Sequence, residues 1–177
     1  AVAWLERPLI DFDEDWPDVQ GGDVVARFIG PGMAVHGTVE DTGGVAAQEI
    51  FVGIEDMKTP VLEVEYSGAS DLPGLLAYLE QTPLRETVDV DLSAFEFAGP
   101  ADINGRIVLP LGESPGDLAV DGMVLIDGGR FSDPEHGITI SDIRGSVAYS
   151  ERGFAGTALQ ASAFGDPARL DLSADAD

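Results

Sequence analysis

Apolar and polar residues alternate along most of the chain from residue 24 onward, with the period of two that strands with one buried face adopt. Turn signals such as the "GPG" at 30–32 interrupt the alternation and separate successive strands. The alternation assigns the following apolar side chains to one predicted face: Val24, Phe28, Met33, Val35, Leu62, Val64, Tyr66, Ile103, Ile107, Leu109, Val120, Val124 and Val147. The pattern predicts a mainly β fold, an antiparallel meander with one apolar and one polar face.

One short segment departs from the period of two. In "DLPGLLAYLEQTPL", residues 71–84, Asp71 can cap a helix whose first turn tolerates Pro73, and Pro83 ends it. Helical spacing brings the leucines of this segment to one face: Leu72, Leu75, Leu76 and Leu79. The sequence therefore predicts one short amphipathic helix over about residues 72–81.

The opening residues 1–22 do not alternate and are interrupted by prolines. We expect an irregular segment that packs on the edge of the sheet through Trp4, Phe12 and Trp16. Strands and the helix then occupy 23–84, and a second run of strands occupies 85–177. Because the chain begins with alanine rather than methionine, we interpret 1–177 as a single fragment of a longer protein.

Composition narrows the choice of partners. The chain has 177 residues, of which 44% are hydrophobic, enough to bury a core. Asp and Glu number 33 against 9 Lys and Arg, a formal net charge of −24. Such a surface lacks the clustered basic residues that bind nucleic acid, and anionic headgroups are also disfavoured. A host that lives at high salt is one hypothesis for the acidity, and a structural calcium requirement is the alternative.

The sequence offers little metal-binding chemistry. It has no cysteine, which excludes disulfides, thiolate zinc sites and cysteine nucleophiles. Asp11, Asp13 and Asp15 have the spacing of a calcium loop, but Trp16 stands where the sharp turn requires glycine. We interpret this segment as a solvated acidic loop, and we expect neither a metal site nor a cofactor.

Catalytic patterns are equally weak. "GESPG" matches the G-x-S-x-G pattern at Ser114, but Pro115 follows directly and the next segment alternates like a strand, which indicates a hairpin loop. His36 and His136 are the only histidines and have no matched base in the sequence. With so many acids, a pair of carboxylates carries no information. We therefore expect no enzymatic activity and assign no catalytic residue.

Several motifs occur in an order that resembles a known family. "GIEDMKTPVLEVEYSG" leads into the "LLAYLEQTPL" helix, and "GPADINGRIVLPL", "VDGMVLIDGGRF" and "ISDIRGSVAYSERGFAGTALQASAFGDPARLDL" follow. This series resembles the YhdP family of AsmA-like proteins of the Gram-negative periplasm, over most of residues 16–172. The order of the motifs, rather than any one of them, carries the resemblance.

The resemblance implies a function. Members of that family look like bridge-like lipid carriers, with an inner-membrane anchor and a long, twisted sheet curled into an elongated apolar groove. Phospholipid acyl chains would slide along this groove between the inner and outer membranes and support the outer-membrane permeability barrier. This chain would then be one groove segment in the periplasm, lined by the apolar residues given above. Contacts with the two membranes would be made by parts of the parent protein that are absent here.

Three alternatives remain open at this stage. The apolar alternation could form a closed sandwich core, which would make the chain a structural periplasmic spacer without lipid cargo. A hydrolase would require a concave site with converging groups around Ser114 or paired carboxylates. The helix could be a plug that lies across the groove or a strut that only packs on the sheet.

Overall fold

A computed structural model describes residues 1–11, 15–83, 85 and 91–175. Its strands are β1 Val2–Glu6, β2 Leu9–Ile10, β3 Val19–Gln20, β4 Asp23–Ile29, β5 Gly32–Thr42, β6 Val45–Ile54, β7 Val61–Asp71, β8 Glu96–Ala98, β9 Pro100–Pro110, β10 Ala119–Asp133, β11 Ile138–Ser150, β12 Gly153–Ala163 and β13 Asp166–Asp175. Among the described residues a single α-helix, α1, covers Leu72–Glu80, and a short 3-10 turn covers Leu92–Ala94. No helix among the described residues is long and apolar enough to cross a membrane.

The strands form one open antiparallel sheet of 13 strands. The main path runs β1-β4-β5-β6-β7-β9-β10-β11-β12-β13, while β2, β3 and β8 pair beside it. Strand β7 pairs with β9 from Val61 opposite Pro110 to Asp71 opposite Pro100, and this ladder joins the strands before α1 to those after it. The mainly β fold with a single helix and a sheet that does not close on itself confirms the predicted class.

Strand β7 illustrates why these sequences form strands. Leu62, Val64 and Tyr66 point to one face, while Glu63 and Glu65 point to the other. Each apolar residue meets an apolar or small partner in the neighbouring strand, as Val64 does with Ile107. These cross-strand pairs stabilise the sheet and fix its register, because a slip of one residue would exchange the two faces.

Several strands carry irregular pairing. The register shifts in β5 between Gly37 and Thr42, in β10 between Asp127 and Phe131, and in β12 between Gly156 and Leu159. Such bulges bend the bulged strand and increase its twist. The long strands are therefore bent at particular positions rather than straight along their whole length.

The helix begins and ends close to the predicted residues. The Asp71 carboxylate accepts a hydrogen bond from the Gly74 amide at 2.7 Å, which is the expected N-cap. Pro73 occupies the first turn, where its missing N–H costs nothing. The last helical residue is Glu80, and Gln81 is the C-cap.

The interpretation of residues 1–22 as an irregular segment needs correction. β1 pairs with β4 from Val2 opposite Arg27 to Glu6 opposite Asp23 and forms one edge of the sheet. Its sequence does not alternate because neither face of this edge strand is deeply buried, and backbone pairing with β4 sets its conformation. The pattern of side chains therefore gave no strand signal.

The predicted edge contacts of this segment are also partly wrong. Trp4 is 73% exposed, so it does not pack the segment onto the sheet. Trp16 is buried, but its partners are Ile107 on β9 and Val120 on β10, in the middle of the strand order. Phe12 lies outside the described residues. The chain therefore crosses from the β1 edge to reach the central strands.

Candidate functional site

Every apolar side chain assigned from the sequence to one face lies on a single face of the sheet. Residues paired across antiparallel strands point to the same side, so each row of partners can be followed across the sheet. One row contains Ala26, Val35, Val52, Val64, Ile107 and Val120. A second row contains Phe28, Met33, Ile54, Leu62 and Leu109. A third row contains Ile103, Val124 and Val147. We call this surface the apolar face.

The apolar face is buried unevenly. Its fully buried members among the predicted residues are Val24, Leu62, Ile103, Ile107 and Val120. The half-buried members are Met33, Val35, Val64, Tyr66, Leu109, Val124 and Val147. Phe28, near the turn between β4 and β5, is 48% exposed. Burial is therefore deepest where other parts of the chain lie over the sheet.

Two apolar clusters occupy this face. Cluster 1 is built on Trp16, Ile107 and Val120, and cluster 2 on Ile126, Ile143, Leu159 and Ala161. Helix α1 contributes to both clusters, because Leu72 packs against cluster 2 while Tyr78 and Leu79 pack against cluster 1. The helix therefore crosses the apolar face from one cluster to the other.

A pair of tyrosines spans two strands of this face. Tyr66 on β7 and Tyr149 on β11 flank Gly105 on β9 and Gly122 on β10 in one cross-sheet row. Their hydroxyl oxygens are 2.6 Å apart, and the Tyr149 hydroxyl donates to the carbonyl of Asn104 at 2.9 Å. Because that donor is used, Tyr66 donates to Tyr149. We call this chain of hydrogen bonds the tyrosine bridge.

The glycines beneath the tyrosine bridge make it possible. A Cβ on Gly105 would overlap the hydroxyl of Tyr149, and a Cβ on Gly122 would overlap its ring. Any larger residue at these positions would push the tyrosine side chains away from the sheet. The two side chains can therefore lie over β9 and β10 only because both positions lack a Cβ.

The environment of the tyrosines is apolar. Burial raises the pKa of Tyr66 and of Tyr149 far above the usual value for tyrosine. Burial likewise raises the pKa of Tyr78 on α1. These are all 3 of the tyrosines in the chain, and they gather at one place on the apolar face. Ionised phenolates are disfavoured there, so the bridge stays neutral.

A small layer of chain covers the bridge. The Trp16 and Tyr78 rings are tilted by 53° with centroids 6.5 Å apart. The Gln81 side-chain amide donates to the Gly43 carbonyl at 3.3 Å, which ties the end of α1 to the turn between β5 and β6. Near the start of α1, the Ser70 hydroxyl donates to the Gly44 carbonyl at 3.1 Å. We call Trp16, Pro17 and α1 together the cover.

An open cleft lies at the end of the sheet where β4 turns into β5. It has a volume of about 530 Å³, within the range of small-molecule sites, and its apolar lining includes Ile29, Met33, Ile54 and Val61. Met33 and Ile54 belong to the apolar face, whereas Ile29 is 69% exposed at the end of β4. The register places Ala34, Gly53 and Glu63 of its lining on the opposite face of the sheet, so most of this cleft does not lie on the apolar face.

Comparison with known proteins places these features in a family. The family model described as YhdP protein matches residues 1–177. The chain belongs to the YhdP family. A similar protein, the intermembrane phospholipid transporter YhdP of Escherichia coli strain K12, is 22% identical over 169 residues. That match covers 96% of this chain but only 13% of the relative. No solved structure matches the chain.

The opposite face of this YhdP-family sheet is polar. Arg106 on β9 donates to Glu63 on β7 at 3.0 Å, and Glu65 is 3.9 Å away. The hydrogen bond to Glu63 raises the pKa of Arg106. His36 and Glu49 approach to 3.7 Å on the same face. The sheet is therefore amphipathic, with charged pairs on the face that turns away from α1.

The weaker chemical motifs of this YhdP-family chain stay apart. Ser114 lies in the loop between the antiparallel strands β9 and β10, which confirms the hairpin interpretation over a nucleophile elbow. Asp13 lies outside the described residues, so the calcium-loop spacing is not tested. Within the described ranges, no group of three or more His, Asp or Glu side chains is arranged to hold a metal ion. His136 bonds to Asp133 in an exposed hairpin loop.

The sequence predicts α1, but it predicts neither the part of the cover formed by Trp16 and Pro17 nor the tyrosine bridge. Trp16 was assigned to the sheet edge, and Tyr149 was given no role. One signal was available, because Gly105 and Gly122 occur at apolar-face positions of strands that otherwise carry large residues there. A glycine at such a position indicates that another side chain needs the space.

Proposed function

We propose that this chain is one segment of a hydrophobic groove that carries phospholipids across the periplasm between the inner and outer membranes. Its parent protein would be anchored in the inner membrane and would support the permeability barrier of the outer membrane. The observation that carries the proposal is the amphipathic open sheet, in which every second residue of the central strands joins one apolar face. Family membership supports it, since the relative is named an intermembrane phospholipid transporter.

Acyl chains suit such a surface on energetic grounds. Each buried methylene contributes about 0.8 kcal/mol without any directional bond. A row of aliphatic side chains such as Val35, Val64 and Ile107 therefore holds an acyl chain without fixing its position along the row. Contacts of this kind permit sliding, whereas a hydrogen-bonded site would hold one lipid in place.

The irregular strand pairing supports a groove shape. Bulges in β5, β10 and β12 bend these strands. Bending toward the apolar face would place the apolar rows on the inside and pairs such as Arg106 with Glu63 on the outside. A long apolar face with no other cover would otherwise be an unusually large exposed patch for a soluble protein.

A structural spacer without cargo is the second candidate, and the two apolar clusters favour it. Val120 is 2% exposed and Leu159 is 1% exposed, so parts of the apolar face are already packed by the chain itself. A spacer requires this packing to extend over the whole face. The exposure of Phe28, at 48%, favours the groove instead.

Photo-cross-linking from the two faces tests the groove directly. A photoreactive amino acid is placed at Val35, Val64 or Ile107 on the apolar face in cells. The matched controls are residues directly adjacent to these in the same strands, which point to the polar face: His36, Glu65 and Arg106. We expect phospholipid adducts from the first set and none from the controls. Equal labelling of both faces, or no adduct from either, would rule out the groove.

A further inference from the structure

Helix α1 is apolar, yet none of its residues is buried. Its leucines, Leu72, Leu75, Leu76 and Leu79, are all half-buried. A helix that serves only as a strut normally hides its apolar stripe against the sheet. Each leucine of α1 therefore keeps part of its surface exposed, so the helix does not hide its whole apolar stripe against the sheet.

Trp16 is buried in cluster 1, and α1 meets it through the Tyr78 ring. The far end of α1 is tied by the Gln81 amide to the Gly43 carbonyl and by the Tyr78 ring to Trp16. Pro17 lies against the Gly43 turn, in the space that a Cβ on Gly43 would meet. Because none of its residues is buried, α1 should open at a lower free energy than the core of the same protein.

The cover also stands at a boundary on the apolar face. Its Trp16 belongs to cluster 1, and α1 contacts both clusters, with Leu72 on cluster 2 and Tyr78 and Leu79 on cluster 1. The tyrosine bridge lies on the sheet beneath, next to Tyr78 and Leu79. An acyl chain that moves along the apolar rows from β5 toward β10 would meet Trp16 and Tyr78 at this point.

We propose that the cover is a lid, and that entry of a phospholipid acyl chain separates Trp16 from Tyr78 and takes the place of α1 on the tyrosine bridge. The inference rests on the proposed function, because the ligand that opens the lid is the same acyl chain. In the closed state the lid divides the apolar face, and in the open state the two clusters form one continuous apolar path. The lid would thus control whether lipid passes this segment.

The two tryptophans of the chain provide a test without added labels. Trp16 is buried in the lid, while Trp4 is 73% exposed on the edge strand, and the chain has no other tryptophan. Trp4→Phe leaves Trp16 as the only reporter, and Trp16→Phe leaves Trp4 as the matched control. Each variant is mixed with phosphatidylcholine vesicles whose acyl chains carry bromine, a contact quencher of indole fluorescence, and with unbrominated vesicles as reference.

We expect saturable, severalfold stronger quenching of Trp16 than of Trp4 by the brominated lipid. Gln81→Met removes the tie to Gly43 and should shift the quenching of Trp16 to lower lipid concentration. Gln160→Met, on the polar face of β12 opposite Arg144, is the control and should leave that midpoint unchanged.

Lipid that remains on the protein after removal of the vesicles is measured in parallel. Bound lipid without quenching of Trp16 would overturn the lid and leave the groove standing. If no variant retains lipid, the groove fails and the lid fails with it. A Gln81→Met variant that binds and quenches as the parent chain does would show that the end of α1 is not what holds the lid closed.

Discussion

The hydroxyl of Tyr66 donates a hydrogen bond to the hydroxyl of Tyr149 at 2.6 Å, across the two strands that separate them in the sheet. The residues are 83 positions apart in the chain. Their side chains lie over Gly105 and Gly122, so the hydrogen bond connects β7 to β11 across β9 and β10. This bridge supports the cover and therefore fixes where the apolar face is divided.

Removal of the bridge hydroxyls should destabilise the chain in a graded way. Tyr66→Phe removes one hydrogen bond and should cost about 1 kcal/mol, whereas Tyr149→Phe also leaves the Asn104 carbonyl without that donor and should cost about 2 kcal/mol. The double variant should cost no more than Tyr149→Phe alone, because the two hydroxyls act as one unit. Urea unfolding of the four proteins measures this. Fully additive costs would show that the hydroxyls do not share a network.

Addition of a methyl group beneath the bridge should be costly. Gly122→Ala places a Cβ into the Tyr149 ring and should lower the free energy of unfolding by about 1–3 kcal/mol. The control is Gly53→Ala, where the nearest atom is 3.3 Å away on the exposed ring of Phe51, which can move aside.

The free-energy cost of Gly122→Ala should depend on the presence of the Tyr149 ring. In a Tyr149→Ala background, the added methyl group should cost less than in the parent chain, and the cost that remains comes from the Asn104 carbonyl, which the same Cβ meets. Urea unfolding of the single and double variants completes the cycle. Equal costs of Gly122→Ala in the two backgrounds would contradict the geometry of the bridge.

Alkaline pH should unfold the chain through its tyrosines. Burial raises the pKa of Tyr66, Tyr78 and Tyr149 in the folded state, while tyrosines of the unfolded chain ionise near pH 10. Above about pH 10 the folded chain binds more protons than the unfolded chain, so the free energy of unfolding falls as the pH rises. Below about pH 10 this contribution is fully present.

Two measurements check the alkaline transition. Tyrosinate absorbance of the native protein should not rise near pH 10 and should appear together with unfolding. The loss of stability should be shallower in Tyr66→Phe/Tyr149→Phe, which removes two of the groups. A native protein whose tyrosines ionise near pH 10 would contradict their burial.

Local signals explain which parts of the fold were predictable from sequence. Asp71, Pro73 and the leucine spacing specify α1 within one short segment, and the structure places its start and end within a residue of the prediction. The alternation of Val35, Val64 and their neighbours likewise specifies the apolar face, since each strand carries its own pattern.

The position of Trp16 and the pairing of Tyr66 with Tyr149 were not predictable in this way. Both depend on which strands become neighbours, and no local period encodes the partner of a residue many positions away. β1 was missed for a related reason, because an edge strand with two accessible faces needs no alternation. The apolar face and α1 are therefore predictable from the sequence, whereas the place of Trp16 in the cover and the tyrosine bridge depend on the fold.

Salt should stabilise the chain. With 33 acidic and 9 basic residues, repulsion among carboxylates opposes the compact state at pH 7. An increase from about 0.01 to about 1 M NaCl shortens the Debye length from about 30 to about 3 Å, so the free energy of unfolding should rise. The rise should be much smaller near the isoelectric point of about 4.1, where the net charge is close to zero. An equal salt effect at both pH values would point to a cause other than charge repulsion.

Lipid carried by the purified chain is the most direct test of the groove. The protein is purified without detergent and extracted with organic solvent, and the extract is analysed by mass spectrometry beside an acidic soluble protein of similar size. The account predicts phospholipid at a reproducible molar ratio in the chain and none above background in the control. Absence of phospholipid from the chain, with the apolar face folded as described, would contradict the groove and favour the structural spacer.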